Sequence, residues 1–387
     1  MSRLCALFVL LSLFLGTRGH AQGPSGSLWP SEVIGESRGG FALSVRLLGD
    51  AKVTFRDLGT IASSLDSGDR FGELTRQYHD GVVQRDARVT TDGFDLPNDG
   101  YTNTWTMLGA GQVLPDGSGI AFHNYSTRSD GATVDAESGN EPGFDMELSW
   151  RFGGFGARMA DHRRRGSWGA FAGLGLTDIN AKANATINAS LVAIRDVYSL
   201  DGARPPTGPY TGPSTETITV IGADGTETSV VVDTTILLGN EPFSRTETVQ
   251  VGGAELEGFW QVRGSYFATR AGMWARWRVA PQLSVRASAG VSFKFLGLDM
   301  RYDEWMDSEA LRAEIRDAGQ AETTKYDSIG LFGSVDVEFW LTRRTGFFAS
   351  FTYEALEDDL ALTVGGRTAD IQLSSGTGFR VGLTTLF

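Results

Sequence analysis

Between Phe267 and Phe387 apolar and polar residues alternate with a period of two, and this limits the fold more than any other feature of the chain. An extended backbone throws successive side chains to opposite faces, so each such segment has one apolar and one polar face. Five segments show the pattern: 267–279, 283–295, 329–341, 347–355 and 379–387. In 283–295, Leu283, Val285, Ala287, Ala289, Val291, Phe293 and Phe295 alternate with Ser284, Arg286, Ser288, Gly290, Ser292 and Lys294. Phe144 to Phe152 and Trp168 to Leu176 repeat it upstream, and Phe41 to Leu47 fits as a first strand. The total is eight strands.

The amino terminus narrows where such strands can be. Arg3 precedes an apolar run from Leu4 to Leu15, and Gly19-His20-Ala21 offers a small-x-small cleavage site. These are the marks of an export leader over 1–21, followed by a periplasmic segment over 22–40. Cys5, the single cysteine, lies inside that leader. A processed chain then has no disulfide, thiolate metal site or cysteine nucleophile. No later stretch holds 18 consecutive apolar residues, so a helical span is excluded. A formal charge of −13 speaks against a nucleic-acid partner, which needs a basic stripe.

The reading that fits is an all-β, closed antiparallel transmembrane barrel over 41–387. In lipid every backbone polar group must be paired, and closing the sheet does this. The connections alternate short and long, as a membrane barrel requires. Short turns fall at Ala280 to Gln282, Thr342 to Gly346 and, somewhat longer, Gly153 to Gly166. Long loops, expected outside the cell, cover about 50–142, 178–260, 300–325 and 357–367. At the short-turn end the apolar faces carry Phe41, Trp150, Trp168, Trp277, Phe339, Phe347 and Phe387, an aromatic girdle at a membrane interface. A secreted β-sandwich shares the alternation but has no reason to ring one end with aromatics. A hairpin from 50–142 inserted in the wall would raise the count to ten, and ten to twelve strands is the alternative to eight.

The last strand resembles that of bacterial outer-membrane barrel proteins, which reads polar-x-Gly-x-x-hydrophobic-x-aromatic. Arg380, Gly382 and Phe387 match, and Thr385 departs from the usual apolar residue. The resemblance implies recognition by the barrel-assembly machinery through those three residues. The overall plan is similar to small barrels of the outer-membrane protein A, X and W type. It implies lipid as the main partner. Because the chain stops at the last strand, no peptidoglycan-binding domain is expected, and with fewer than twenty residues between Ala21 and the first strand no autotransporter passenger is expected.

Within the long loops, Thr215 to Ile221 and Thr228 to Leu237 flank Gly222 to Gly225 and read as a hairpin. Gly365-Gly366 reads as a hairpin turn. Asp307 or Ser308, Leu311, Ile315 and Gly319 read as a capped helix over 307–319, lying across the mouth. Segment 178–253 carries nine acidic against four basic residues.

The chemistry available is mostly charge inside the barrel. Asp145, Glu147, Arg151, Arg270, Arg276 and Arg286 fall on polar faces, as do Lys294, Asp336, Glu338, Glu354 and Arg380. Eight strands enclose little more than their own side chains. These groups therefore form a paired lumen network or line a narrow, gated path. Strand pairing sets Asp336 near Glu354, which calls for an arginine from a neighbouring strand. His79 in Tyr78-His79-Asp80 and His123 are the candidate bases of a rim-sited hydrolase, though neither sits in a catalytic motif. His162 to Arg165 is a basic turn that is either solvated or an anchor for lipid phosphates. No metal or cofactor site emerges, since Asp95, Asn98, Asp99 and Asp224 do not complete a calcium loop. The leading reading is a non-enzymatic barrel that acts through its loops on an unknown extracellular ligand. A small channel and a rim hydrolase are the alternatives.

Overall fold

The computed structural model describes residues 37–387, apart from 49–51, 66–74, 90, 94–98, 139–141, 159–163, 222, 224, 310, 312, 343, 356–357 and 374–375. The expected leader over 1–21, most of segment 22–40, His162 and Arg163 lie outside the described residues.

Eight strands form the wall: β1 (Gly39–Leu48), β2 (Pro142–Arg158), β3 (Arg164–Ser199), β4 (Ser244–Arg278), β5 (Leu283–Ser308), β6 (Ala313–Trp340), β7 (Thr345–Ala355) and β8 (Gly376–Leu386). Each pairs antiparallel with its chain neighbours. β8 pairs back onto β1, from Leu48↔Gly378 to Gly40↔Leu386, so the ring of hydrogen bonds returns to its start. Gly382 sits at that seam, where a Cβ would run into the Leu43 carbonyl oxygen and stand 2.6 Å from the Ser44 Cβ. The glycine of the terminal motif thus lets β8 lie close against β1.

The eight strands are those the alternation picked out, but four run far past their expected ends. β3 and β4 hold 36 and 35 residues, and β5 and β6 hold 26 and 28. Much of 178–260 and 300–325, expected as loop, is therefore paired strand. The helix expected over 307–319 is absent: Ser308 pairs with Ala313, and the ladder runs on through Met306↔Ile315. Ala313 and Ile315 are buried while Glu314 is exposed, a period of two that overrides the one-turn spacing of Leu311 and Ile315.

The reason these strands continue is an inversion of sidedness. On β4 the outward face reads Phe267, Met273, Trp277 near the short turns and Glu255, Glu257, Gln261, Arg263 beyond. The inward face inverts with it, from Arg270 and Arg276 to Leu256, Trp260 and Val262, which are fully buried. On β5 the change falls between Phe295 and Asp299 outside and between Lys294 and Leu296 inside; on β3 it falls between Leu176 and Asp178. Below this level the wall is apolar outside, as lipid requires; above it the wall is polar outside, as water requires. The outward apolar stretch of β5 covers 13 residues, Leu283 to Phe295. At about 3.3 Å per residue and a tilt of about 40° it spans about 30 Å, the height of a membrane band.

Among the described residues, 52–138 do not enter the ring of eight strands. Lys52–Arg56 joins Val134–Glu137 and the hairpin Asp358–Val364/Arg367–Leu373 in a four-stranded sheet. Val53, Phe55, Leu58 and Ile61 pack on the inward apolar faces of β3, β4 and β5. Gly119–Ser129 pairs outside the ring with the far end of β3, from Ala189↔Ser129 to Ser199↔Gly119. Arg76–Tyr78, Gly81–Val83, Trp105–Met107 and Tyr210–Thr211 make a second small sheet beside it. Gly365 and Gly366 both have positive φ (54° and 81°), which a two-residue hairpin turn of this kind requires. Thr215–Ile221 pairs with Glu227–Asp233 as a ribbon exposed on both faces.

Candidate functional site

The inward polar faces converge on one buried charge cluster. Ten of the eleven charged residues read as lumenal are in it, all less than a tenth exposed. At the short-turn half, Arg276 Nε lies 2.8 Å from Glu338 Oε2, and Ser284 donates to the same carboxylate at 2.7 Å. Arg286 bonds to Glu147, and Arg380 Nη2 lies 3.3 Å from Asp336 Oδ1. Toward the mouth Arg270 bonds to Asp145, and Lys294 Nζ lies 2.6 Å from Glu354 Oε2. Arg151 lies lower in the wall, half-buried, with its Nε donating to the Gly153 carbonyl at 3.5 Å.

Two points differ from expectation. Asp336 is not beside Glu354: its partner across the ladder is Ser350, and Glu354 pairs with Phe332. The arginine that Asp336 needs is Arg380, with Arg286 Nε 4.0 Å away on its other side. The sequence reading also passed over Arg46. It is fully buried, with Nη2 2.8 Å from Glu354 Oε1. Its signal was the alternation of Ser44 and Arg46 with Leu43, Val45 and Leu47.

Aromatic rings fill the space between these charges. Trp274, Phe332, Phe171, Trp340 and Phe348 are buried inside the barrel. Arg276 stands over Trp274 and Trp340, with its guanidinium carbon 5.2 and 5.3 Å from the ring centroids. Arg270 stands 5.0 Å over Phe332. Guanidinium over an aromatic face recovers part of the hydration it loses. Above this layer Leu296, Leu298, Trp260, Val262 and Met300 form the apolar core with Phe55 and Leu58. A second buried ion pair locks it: Arg367 Nη2 lies 2.8 Å from Glu304 Oε2, Trp260 Nε1 donates to Glu304 Oε1 at 2.9 Å, and Arg367 also reaches Asp317 at 2.7 Å. The Arg367 guanidinium stays protonated: burial opposes its charge, and the bonds to Glu304 outweigh that.

On the outward face Trp150, Trp168, Trp277, Phe339, Phe347 and Phe387 are exposed at the short-turn end, and Phe41 is half-buried. Arg165 is exposed there too.

The two loop histidines pair through the backbone, the His79 N–H donating to the His123 carbonyl at 2.9 Å. His123 Nδ1 lies 2.7 Å from Asp80 Oδ2, and the Tyr125 backbone N–H donates to His79 Nδ1 at 3.1 Å. Burial pulls the His79 imidazole below its ordinary value, against the smaller upward effect of Asp80. Ser63 and Ser64 bond to the Asn124 side chain, which is buried, whereas the neighbouring His123 is partly exposed. Alternation along the strand therefore turns those two serines away from the His123 ring. Nearby, Tyr78 donates to Asp196 at 2.6 Å, and Arg245 bonds to the same carboxylate through two nitrogens. This ties the small sheet to β3 and β4.

No family model matches this sequence, and no curated protein matches it. Among solved structures the chain is similar to Ail, the attachment invasion locus protein of Yersinia pestis, in complex with the heparin analogue sucrose octasulfate. The identity is 8%, over 90% of this chain and 99% of that chain, with a TM-score of 0.24. It is also similar to the outer membrane protease OmpT from Escherichia coli, at 9% identity over 92% and 98%, with a TM-score of 0.26. Eight antiparallel strands whose pairing returns to the first give this chain a β-barrel fold. Ring pairing, an apolar outer band and a charged interior are the observations within this chain that define the barrel.

Proposed function

We propose that the barrel is a filled, non-conducting anchor that carries an extracellular domain for interaction with a surface ligand. One observation carries this reading. The lumen is occupied twice over, by the charge network at membrane depth and by the Phe55–Trp260 apolar layer under the mouth. A solute path would need both layers to open. The material outside the membrane is instead folded and displayed. One part of it, the ribbon Thr215–Ile221 with Glu227–Asp233, is exposed on both faces, with Ile221 and Val231 each 67% exposed. Lipid on the outward band, assembly through the β8 terminus and export by the leader belong to the same proposal.

The test is a chain with 215–233 replaced by a short Gly-Ser turn, displayed on cells beside the intact chain. Both variants insert equally. The intact chain alone makes cells adhere to a panel of host matrix and glycan surfaces. Equal adhesion by the two variants, or none above cells lacking the chain, rejects the reading.

The Asp80–His123 pair favours a second reading, a hydrolase that activates water at His123. His123→Ala in lipid and peptide hydrolysis assays separates the two; activity that is present and lost in the variant supports the enzyme.

A further inference from the structure

The lumen network does not balance. Among the described residues, six buried cations face five buried carboxylates. The imbalance has a place. At the short-turn half Arg276, Arg286 and Arg380 meet three carboxylates. Toward the mouth Arg46, Arg270 and Lys294 share only Asp145 and Glu354.

Hydrogen bonding is short at the same spot. Nε and Nη1 of Arg46 donate no hydrogen bond, and Nη2 is taken by Glu354 at 2.8 Å. Nε and Nη1 of Arg270 donate none, and the Ser292 hydroxyl has no partner. These side chains are 0%, 4% and 1% exposed. Arg270 and Ser292 face each other across the β4–β5 ladder. An uncompensated cation at membrane depth is costly, and so are orphaned donors. The surplus charge calls for a negative group, and the spare donors of Arg46, Arg270 and Ser292 can donate to it, while Asp145 Oδ2 at the same spot also has no donor. The surplus is one charge, and side chains fill most of the bore, so the group is small and monovalent.

We propose that the upper lumen holds one halide ion, such as chloride, between Arg46, Arg270 and Ser292, with Lys294 completing the positive wall. The ion acts as a structural counter-charge and is not transported.

The test is thermal unfolding of the detergent-folded full chain at constant ionic strength, with chloride or bromide replacing gluconate. The unfolding temperature rises by about 2–4 °C per tenfold halide once the site is saturated. Lys294→Gln removes the surplus charge and abolishes that dependence. Ser292→Ala keeps the charge but loses a donor, and needs about tenfold more halide for the same rise; it carries the test should Lys294→Gln fail to fold. Bromide soaked into crystals gives an anomalous peak within hydrogen-bond reach of Arg46 and Arg270. Halide insensitivity of the intact chain overturns the proposal and makes Lys294 a neutral amine. Undiminished dependence in both variants, or a bromide peak elsewhere, overturns the site.

Discussion

Arg46 on β1 and Glu354 on β7 meet across the lumen, with Nη2 2.8 Å from Oε1. Glu354 also holds Lys294 at 2.6 Å and lies 3.8 Å from Arg270, so one carboxylate serves three cations from three other strands. Glu354→Gln leaves those cations with Asp145 alone. It is expected to cost about 3–5 kcal/mol, the usual penalty for an unpaired buried charge. Urea unfolding followed by tryptophan fluorescence checks this. A loss under about 1 kcal/mol would mean that the network tolerates a missing carboxylate.

The inversion of sidedness on β4 gives a positional prediction. Met273 and Gln261 both point outward, one in the apolar band and one above it. Met273→Arg should cost about 2–4 kcal/mol in a bilayer, as cations do at mid-depth. Gln261→Arg should be close to neutral. Equal costs at the two positions would place the membrane boundary elsewhere.

The apolar layer under the mouth is expected to behave as a folded core. Phe55 is fully buried, 6.5 Å from the Trp260 ring. Phe55→Ala should cost about 3–5 kcal/mol through the cavity it leaves. Its effect should fall on the folded part above the apolar band, read as faster proteolysis of the loops with the band strands still protected.

His79 gives the loop sheet a pH dependence with a definite sign. Burial holds the folded imidazole below its ordinary value of 6.5. The unfolded loop therefore takes up a proton first, and stability, full above pH 6.5, declines as pH falls from there toward the folded value. Limited proteolysis at decreasing pH should show the first long loop opening in that window. His79→Gln should flatten the profile, and an unchanged profile would assign the dependence to another group.

All eight wall strands were legible because lipid imposes one rule on each, apolar outward and polar inward. The same rule hid their continuations. Above Leu176 on β3 the alternation persists, with Ile179, Ala181 and Ile187 buried, but its polarity is reversed. A search for outward apolar residues stops there and reads the rest as loop. Leu311 and Ile315 were misread as a helix because one-turn spacing in a short stretch also satisfies a period of two. The lumen charges were legible from facing alone, yet their partners were not. Glu354 reaches Lys294 two strands away and Arg46 across the β8–β1 seam, and such pairing depends on stagger around the ring, not on spacing along the chain. The Asp80–His123 contact joins residues from a turn and a strand that no periodicity relates.

The central claim is that the barrel is filled, and single-channel conductance of the purified chain in a planar bilayer tests it most directly. Protein shown to be folded by its resistance to protease should give a silent baseline, and Glu354→Gln should give at most brief, small openings. Large, steady openings from the intact chain would contradict the account and make this barrel a porin.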